Sequence, residues 1–243
     1  MTVLVTGAAN GIGLEIARQF ADSGERVVAL DIQERDGVPG VFVRADVSVA
    51  ADVERAFAVA GPVDILVNNA ANWSGDGYLH KVSEEVWEKV ISVSLKSVYL
   101  CSKAALPSMM ARRAGVIVNI SSVNALSGIH LAAYTAAKGG ILSLTRLMAR
   151  QYGSFGIRVN AICPGTILSS SSEVYYREHP ELQSELVCFY PAGAFGSPAD
   201  VAECVRFLAS DRSRFLNGAV IPLDGGMSSV HRLASLDLKE PVG

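Results

Sequence analysis

Cysteine is scarce in this chain of 243 residues, and its four copies (Cys101, Cys163, Cys188 and Cys204) include no close pair. That excludes a CxxC redox motif or thiolate metal cluster, and the residues read as reduced thiols of a cytoplasmic protein. The four histidines are scattered as well, so no metal is expected. Long apolar runs are also missing: nothing approaches the roughly 18 consecutive apolar residues of a membrane-spanning helix. The opening MTVLVTG has no basic segment and no cleavage site, so no signal peptide is expected. Charge of one sign is absent too. The formal net charge is −3 and the Lys and Arg residues are dispersed, which argues against nucleic acid or a membrane surface as partner.

What the chain does have is apolar material, 50% hydrophobic against 19% charged, enough for the core of one large α/β domain. Thr2–Thr6, Arg26–Leu30, Val41–Arg44, Ile65–Val67, Val116–Ile120, Ile157–Ile162 and Ala219–Leu223 read as short buried strands. Helical stretches alternate with them at Ile12–Ser23, Asp52–Val59, Ala132–Tyr152 and Asp200–Ala209, which predicts a parallel sheet covered on both faces. Ser83 offers an N-cap for a long helix to about Arg113, within which Pro107 is expected to cause a kink or an end. Residues 169–198 change character, from serine-rich to aromatic and charged and then to Gly/Pro-rich, and read as an insertion over the sheet edge with short helices. Neither a linker nor a repeat is visible, so residues 1–243 are read as one domain, with 227–243 a tail.

Between the first strand and the first helix lies Thr6-Gly7-Ala8-Ala9-Asn10-Gly11-Ile12-Gly13. A pyrophosphate needs backbone amides at a helix N-terminus and no Cβ atoms in its way, and glycines at 7, 11 and 13 meet both demands. Asp31 closes the second strand, where a carboxylate accepts hydrogen bonds from both hydroxyls of an adenosine ribose. A 2′-phosphate would meet like charge there, so the cofactor expected is NAD. Asp46-Val47 and Asn68 to Ala71 follow the third and fourth strands, at the ends where open parallel sheets bind ligands.

Tyr134 and Lys138 stand four apart on one predicted helix and so share a face. An ammonium beside a phenol favours the phenolate, which a dehydrogenase needs to move a proton while hydride passes to nicotinamide. Ser122, after the fifth strand, could hold the substrate oxygen against that phenol, with Ser121 its neighbour.

The set TGAANGIG, Asp31, NNAA, NISS, YTAAK, ICPG and LDGG, in that order from Thr2 to Gly226, resembles the short-chain dehydrogenase/reductase family. The resemblance implies one Rossmann domain with a parallel sheet of about seven strands, assembled as a homo-oligomer, commonly a tetramer, with a dimer the other option. It implies that Tyr134 is the catalytic acid/base, that Ser122 orients the substrate oxygen, and that Lys138 binds the nicotinamide ribose and lowers the tyrosine pKa. It further implies that Asp46 and Val47 contact adenine, that Asn68 to Ala70 line the cofactor, and that Pro164, Gly165 and Ile167 approach its carboxamide, helped by Ser169. The acid at Asp31 is the mark of the NAD-preferring branch.

Two departures stand out. Where the family has Asn in a Val-Asn-Leu context, holding a proton-relay water, this chain has Val93-Ser94-Leu95, and Ser94 is the candidate for that role. The serine-to-tyrosine spacing of thirteen usual in the family would select Ser121, whereas the Ser-Ser-Val context selects Ser122, which we adopt. The expected reaction is interconversion of a secondary alcohol and a ketone. The composition of 169–198 (Ser170 to Ser172, Tyr175, Tyr176, Arg177, His179) points to a small polar substrate such as a sugar, polyol or cyclic diol. A 3-oxoacyl or steroid ketone is the alternative, and a catalytically silenced NAD-binding regulator is the rival of another class. A methyltransferase shares the glycine turn but would not explain the Tyr134/Lys138 pair.

Overall fold

The computed structural model describes residues 1–229. Seven strands form one parallel sheet: β1 (Thr2–Thr6), β2 (Arg26–Asp31), β3 (Val41–Arg44), β4 (Ile65–Asn68), β5 (Gly115–Ile120), β6 (Ile157–Pro164) and β7 (Val220–Leu223). Their spatial order is β3-β2-β1-β4-β5-β6-β7. This is the Rossmann-like doubly wound arrangement expected from the alternating pattern. Adjacent residues on a strand face opposite sides, and the chain exploits this in β1. Val3 and Val5 pack with Ile16, Ala17 and Phe20 of helix α1 (Gly11–Asp22) and with Val201, Val205 and Leu208 of a late helix, Pro198–Ala209. Leu4 faces the other way, into a core shared with Val53 and Ala56 of α2 (Ala50–Ala60), with Cys101 and Met109, and with Met148. Each such aliphatic side chain contributes about 1.5–3 kcal/mol by leaving water.

The predicted long helix is real but differently divided. α3 (Glu84–Ile91), capped by Ser83 Oγ accepting from the Val86 N–H, leads into a π turn at Ser92–Lys96 and then into α4 (Ser97–Arg112). The helix does not end at Pro107, since α4 runs through it. Pro107 and Lys103 both lie on the exposed face, so the carbonyl that Pro107 cannot serve stays within reach of water. α5 (Ala132–Tyr152) follows β5. Segment 169–198 contributes two short helices, α6 (Ser170–Glu178) and α7 (Pro180–Val187), before α8 (Pro198–Ala209). The base of this segment is tied down. Ile167 and Gly196 form a parallel bridge, with the Leu168 N–H donating to Gly196 O (2.8 Å) and the Gly196 N–H to Thr166 O (3.0 Å). The buried Tyr190 hydroxyl accepts from the Thr166 N–H and donates to its Oγ1, both at 2.8 Å. The predicted tail falls outside the described residues beyond Ser229.

Candidate active site

The chain crosses from one side of β1 to the other between β3 and β4, and at the C-terminal ends of these strands it leaves a cleft of about 840 Å³. One end is the N-terminus of α1. Its N-cap, Asn10, makes no side-chain cap bond and its first turn holds no acid, so the leading N–H groups are left for a ligand. Gly7, Asn10, Gly11 and Ile12 line the cleft at this end. An anion such as a diphosphate fits that donor set. Gly7 has φ +65°, and a Cβ on Gly13 would lie 2.1 Å from Gly7 O. Gly13 is therefore required for packing of the turn and does not line the cleft. The Asn69 amide closes the turn from β4, donating to Thr6 O and Gly7 O at 2.9 and 3.0 Å.

Asp31 lines the same end. Its Oδ2 accepts from the Ala9 N–H and its Oδ1 from the Gln33 N–H, both at 3.0 Å, which aims the carboxylate across the turn and leaves each oxygen a lone pair. Among the described lining residues the only basic ones are Lys89 and Lys138. Asp46 and Val47 also line the cleft, and Asp46 Oδ1 accepts from the Ser48 N–H and hydroxyl. Asp31→Ala is expected to weaken binding of a dinucleotide with a free 2′-hydroxyl about tenfold relative to one with a 2′-phosphate, the worth of one charge-assisted hydrogen bond. Titrating both dinucleotides against the variant checks this, and an unchanged ratio would remove Asp31 from the ribose.

Asn68 is a correction. It was expected to line the cofactor, but its amide points into the interior, donating to Asn119 Oδ1 (2.8 Å) and Ser102 Oγ (3.3 Å). The cause is strand parity: Asn68 shares the face of Leu66, which looks toward α4, so Asn69, Ala70, Ala71 and Asn72 line the cleft instead.

Ser94 is a second correction. It is fully buried in the π turn, accepting from the Asn72 N–H (3.0 Å) and donating to Asn72 O (2.9 Å). Its proton and one lone pair are committed to that backbone, so the hydroxyl anchors the loop after β4 and does not face the cleft. Ser94→Ala is expected to cost about 1–3 kcal/mol of stability by leaving both Asn72 groups unpartnered, to be read by denaturant unfolding.

At the other end Ser122, Tyr134 and Lys138 converge, with Pro164, Gly165, Ile167 and Ser169 on the facing wall. Ser121 Oγ donates to Lys138 O (2.9 Å), a bond that ties β5 to α5. Ser122 Oγ accepts from the Asn124 N–H (3.2 Å) and faces the Tyr134 phenol, where its hydrogen bond favours the phenolate. Lys138 is 1% exposed, and its Nζ donates to Ile120 O at 2.7 Å. Burial pulls this ammonium down to about 8, while the nearby Cys163 acts in the opposite direction. The tyrosine departs from expectation. Burial pushes its phenol up to about 12, outweighing Ser122. Desolvation of the phenol is the larger effect, and Lys138 Nζ, which donates to Ile120 O, lies 5.3 Å from the centre of the tyrosine ring.

The sequence reading missed Asn72, Trp73, Lys89 and Val93, all of which line the cleft. Trp73 stands edge-on to Tyr134, with ring centres 5.9 Å apart. The stretch after Ala71 has no periodicity to announce it. Its one cue is an exposed tryptophan in a Gly/Asn/Ser loop.

A family model described as enoyl-(acyl carrier protein) reductase matches residues 7–228. The chain belongs to the short-chain dehydrogenase/reductase family, and is an oxidoreductase of that family, whose members act on CH–OH groups. It is 39% identical over 247 residues to 2-(S)-hydroxypropyl-CoM dehydrogenase 3 of Xanthobacter autotrophicus, covering 94% of this chain and 96% of that one. It is 38% identical to cis-4-hydroxycyclohexanecarboxylate dehydrogenase of Sinomonas cyclohexanicum, covering 93% and 96%. Among solved structures, ligand-free aldohexose dehydrogenase of Thermoplasma acidophilum superposes with a TM-score of 0.88 at 34% identity, covering 96% and 95%.

Proposed function

We propose that this protein uses NAD to interconvert a small polar secondary alcohol and its ketone. The observation that carries the reading is one cleft with two chemistries: free helix amides and Asp31 at one end, and Ser122, Tyr134 and Lys138 at the other. NAD, when bound, supplies the hydride acceptor. Tyr134 Oη holds the proton that the substrate oxygen gains or loses, and Ser122 Oγ shares that oxygen with the phenol. Lys138 is placed for the nicotinamide ribose. The carboxylate of Asp31 would meet a 2′-phosphate with like charge and favours NAD over NADP; its neighbour on β3, Arg44, does not line the cleft.

Residues 169–198 act as the substrate lid, since Ile167, Ser169, Ser172, Tyr175 and Tyr176 reach the cleft from its base and first helix. A sugar, polyol or cyclic diol fits this aromatic and hydroxyl-bearing wall, and the names of the relatives, which act on hydroxyalkyl, hydroxycyclohexane and aldohexose compounds, support it. The protein works in the cytoplasm as one domain per subunit of a homo-oligomer, a tetramer or a dimer. The test is NADH formation by the purified protein across sugars, polyols, cyclic diols and hydroxyacyl thioesters. Turnover of the thioesters alone would make it a 3-oxoacyl reductase, and NADH binding without any turnover would make it a silenced dinucleotide-binding regulator.

A further inference from the structure

α5 carries both Tyr134 and Lys138, yet it begins without a cap of its own. Its N-cap position is Leu131, whose side chain has no acceptor and whose backbone sits at φ +70°. Tyr134 is the third residue of the helix, in the turn whose N–H groups have no intrahelical partner. Those groups are served by Asp76 and Gly77, from the loop after β4. Ala132 N–H donates to Gly77 O (3.1 Å), Ala133 N–H to Asp76 Oδ1 (3.2 Å) and Tyr134 N–H to Asp76 Oδ2 (2.8 Å). The same carboxylate also accepts from the Gly77 N–H at 2.8 Å.

The loop that delivers Asp76 is itself braced. Asn72 is gripped by Ser94, its Oδ1 accepts from the Ser74 N–H (3.0 Å), and Trp73 O accepts from the Asp76 N–H (3.1 Å). Between these anchors sits Trp73, edge-on to the tyrosine ring.

We propose that Asp76 is a positioning residue for Tyr134: its carboxylate replaces the missing cap of α5 and holds the first turn so that the phenol meets the substrate oxygen. The negative charge sits on the positive end of the helix dipole, which strengthens both bonds. The first turn of a helix is the part that frays, and a displacement of about 1 Å at a reacting group costs about 10²-fold in rate. Lys138 lies one turn further on and keeps its own bond to Ile120 O, so the cofactor end does not depend on Asp76. The inference rests on Tyr134 being the acid/base of the proposed reaction.

The test compares Asp76→Ala and Asp76→Asn with wild type, reading kcat on the best alcohol of the panel, the NADH dissociation constant, and amide exchange over residues 132–138. Asp76→Ala is expected to lower kcat 10- to 100-fold and speed amide exchange at Ala133 and Tyr134, with NADH affinity held within about twofold. Asp76→Asn retains one carbonyl oxygen for the Tyr134 N–H and should recover part of the loss. It also serves as the reference if the alanine variant does not fold. Unchanged kcat per folded molecule would overturn the proposal, as would kcat and NADH affinity falling together, since that would make Asp76 a support of the whole cleft. If wild type turns over no alcohol, the functional reading fails by itself. The exchange measurement then decides Asp76 separately, with unchanged exchange at Tyr134 counting against it.

Discussion

Tyr134→Phe is expected to bind NADH like the wild type and to lose about 10²–10⁴ in kcat, the range that a positioned proton donor or acceptor contributes. The substitution keeps the ring, its edge contact with Trp73 and the packing under Lys138, so the loss isolates the hydroxyl. The raised phenol also sets a pH signature. Alcohol oxidation needs the phenolate, whose population grows tenfold for each pH unit below a pKa near 12, so the oxidation rate should climb with pH through the neutral range. Ketone reduction starts from the protonated phenol and should stay level over the same range. Oxidation that is flat from pH 6 to 9 would take Tyr134 out of the base role.

Lys138→Met should separate activity from stability even more sharply. Loss of the ammonium placed for the nicotinamide ribose is expected to weaken dinucleotide binding and, by letting the reacting ring shift, to cost about 10² in kcat. The same change should stabilise the free protein. Lowering this lysine from 10.5 to about 8 corresponds to about 3 kcal/mol against its charged form, of which about 1 kcal/mol is given back by stranding Ile120 O. The sign follows from proton binding: between about 8 and 10.5 the unfolded chain holds a proton on this lysine that the folded chain has released. Wild-type stability therefore gains from this group as pH rises through that window, and the penalty is complete below it. The advantage of Lys138→Met should be about 2 kcal/mol at pH 7, vanish near pH 10 and reverse above it, where only the stranded Ile120 O remains, as measured by denaturant unfolding across that range. Cys101, raised by burial, cancels in the difference between the two proteins, whereas Cys163 loses the lowering influence of Lys138 and titrates higher in the variant. A lysine buried at such cost is what a site optimised for chemistry rather than for stability contains.

Most of this architecture was legible in the chain because buried parallel strands write themselves as short apolar runs, and all seven were found near their observed ends. The glycine turn, Asp31 and the Tyr134/Lys138 pair were legible because each is local: the residues that must meet lie within one turn or one helix. What was not legible depends on distance or on burial. Asp76 caps a helix that starts far downstream, and no local pattern links the two. Burial raises the phenol's pKa, and burial cannot be read from a helical i, i+4 pairing. Ser94 sits in a π turn, which sequence periodicity does not foresee, and it pairs with the backbone of Asn72. Asn68 could have been read correctly, since counting faces from Leu66 already turns it inward.

The paired roots of the 169–198 segment have an engineering consequence. Because the Ile167–Gly196 bridge and the Tyr190–Thr166 bonds fix where this segment leaves and rejoins the sheet, most of the chain between them behaves as a cartridge with a standard fitting. Replacing α6 and α7 with the equivalent stretch of another member, while retaining Thr166, Ile167, Tyr190 and Gly196, should transplant a new substrate range onto an untouched hydride-transfer frame.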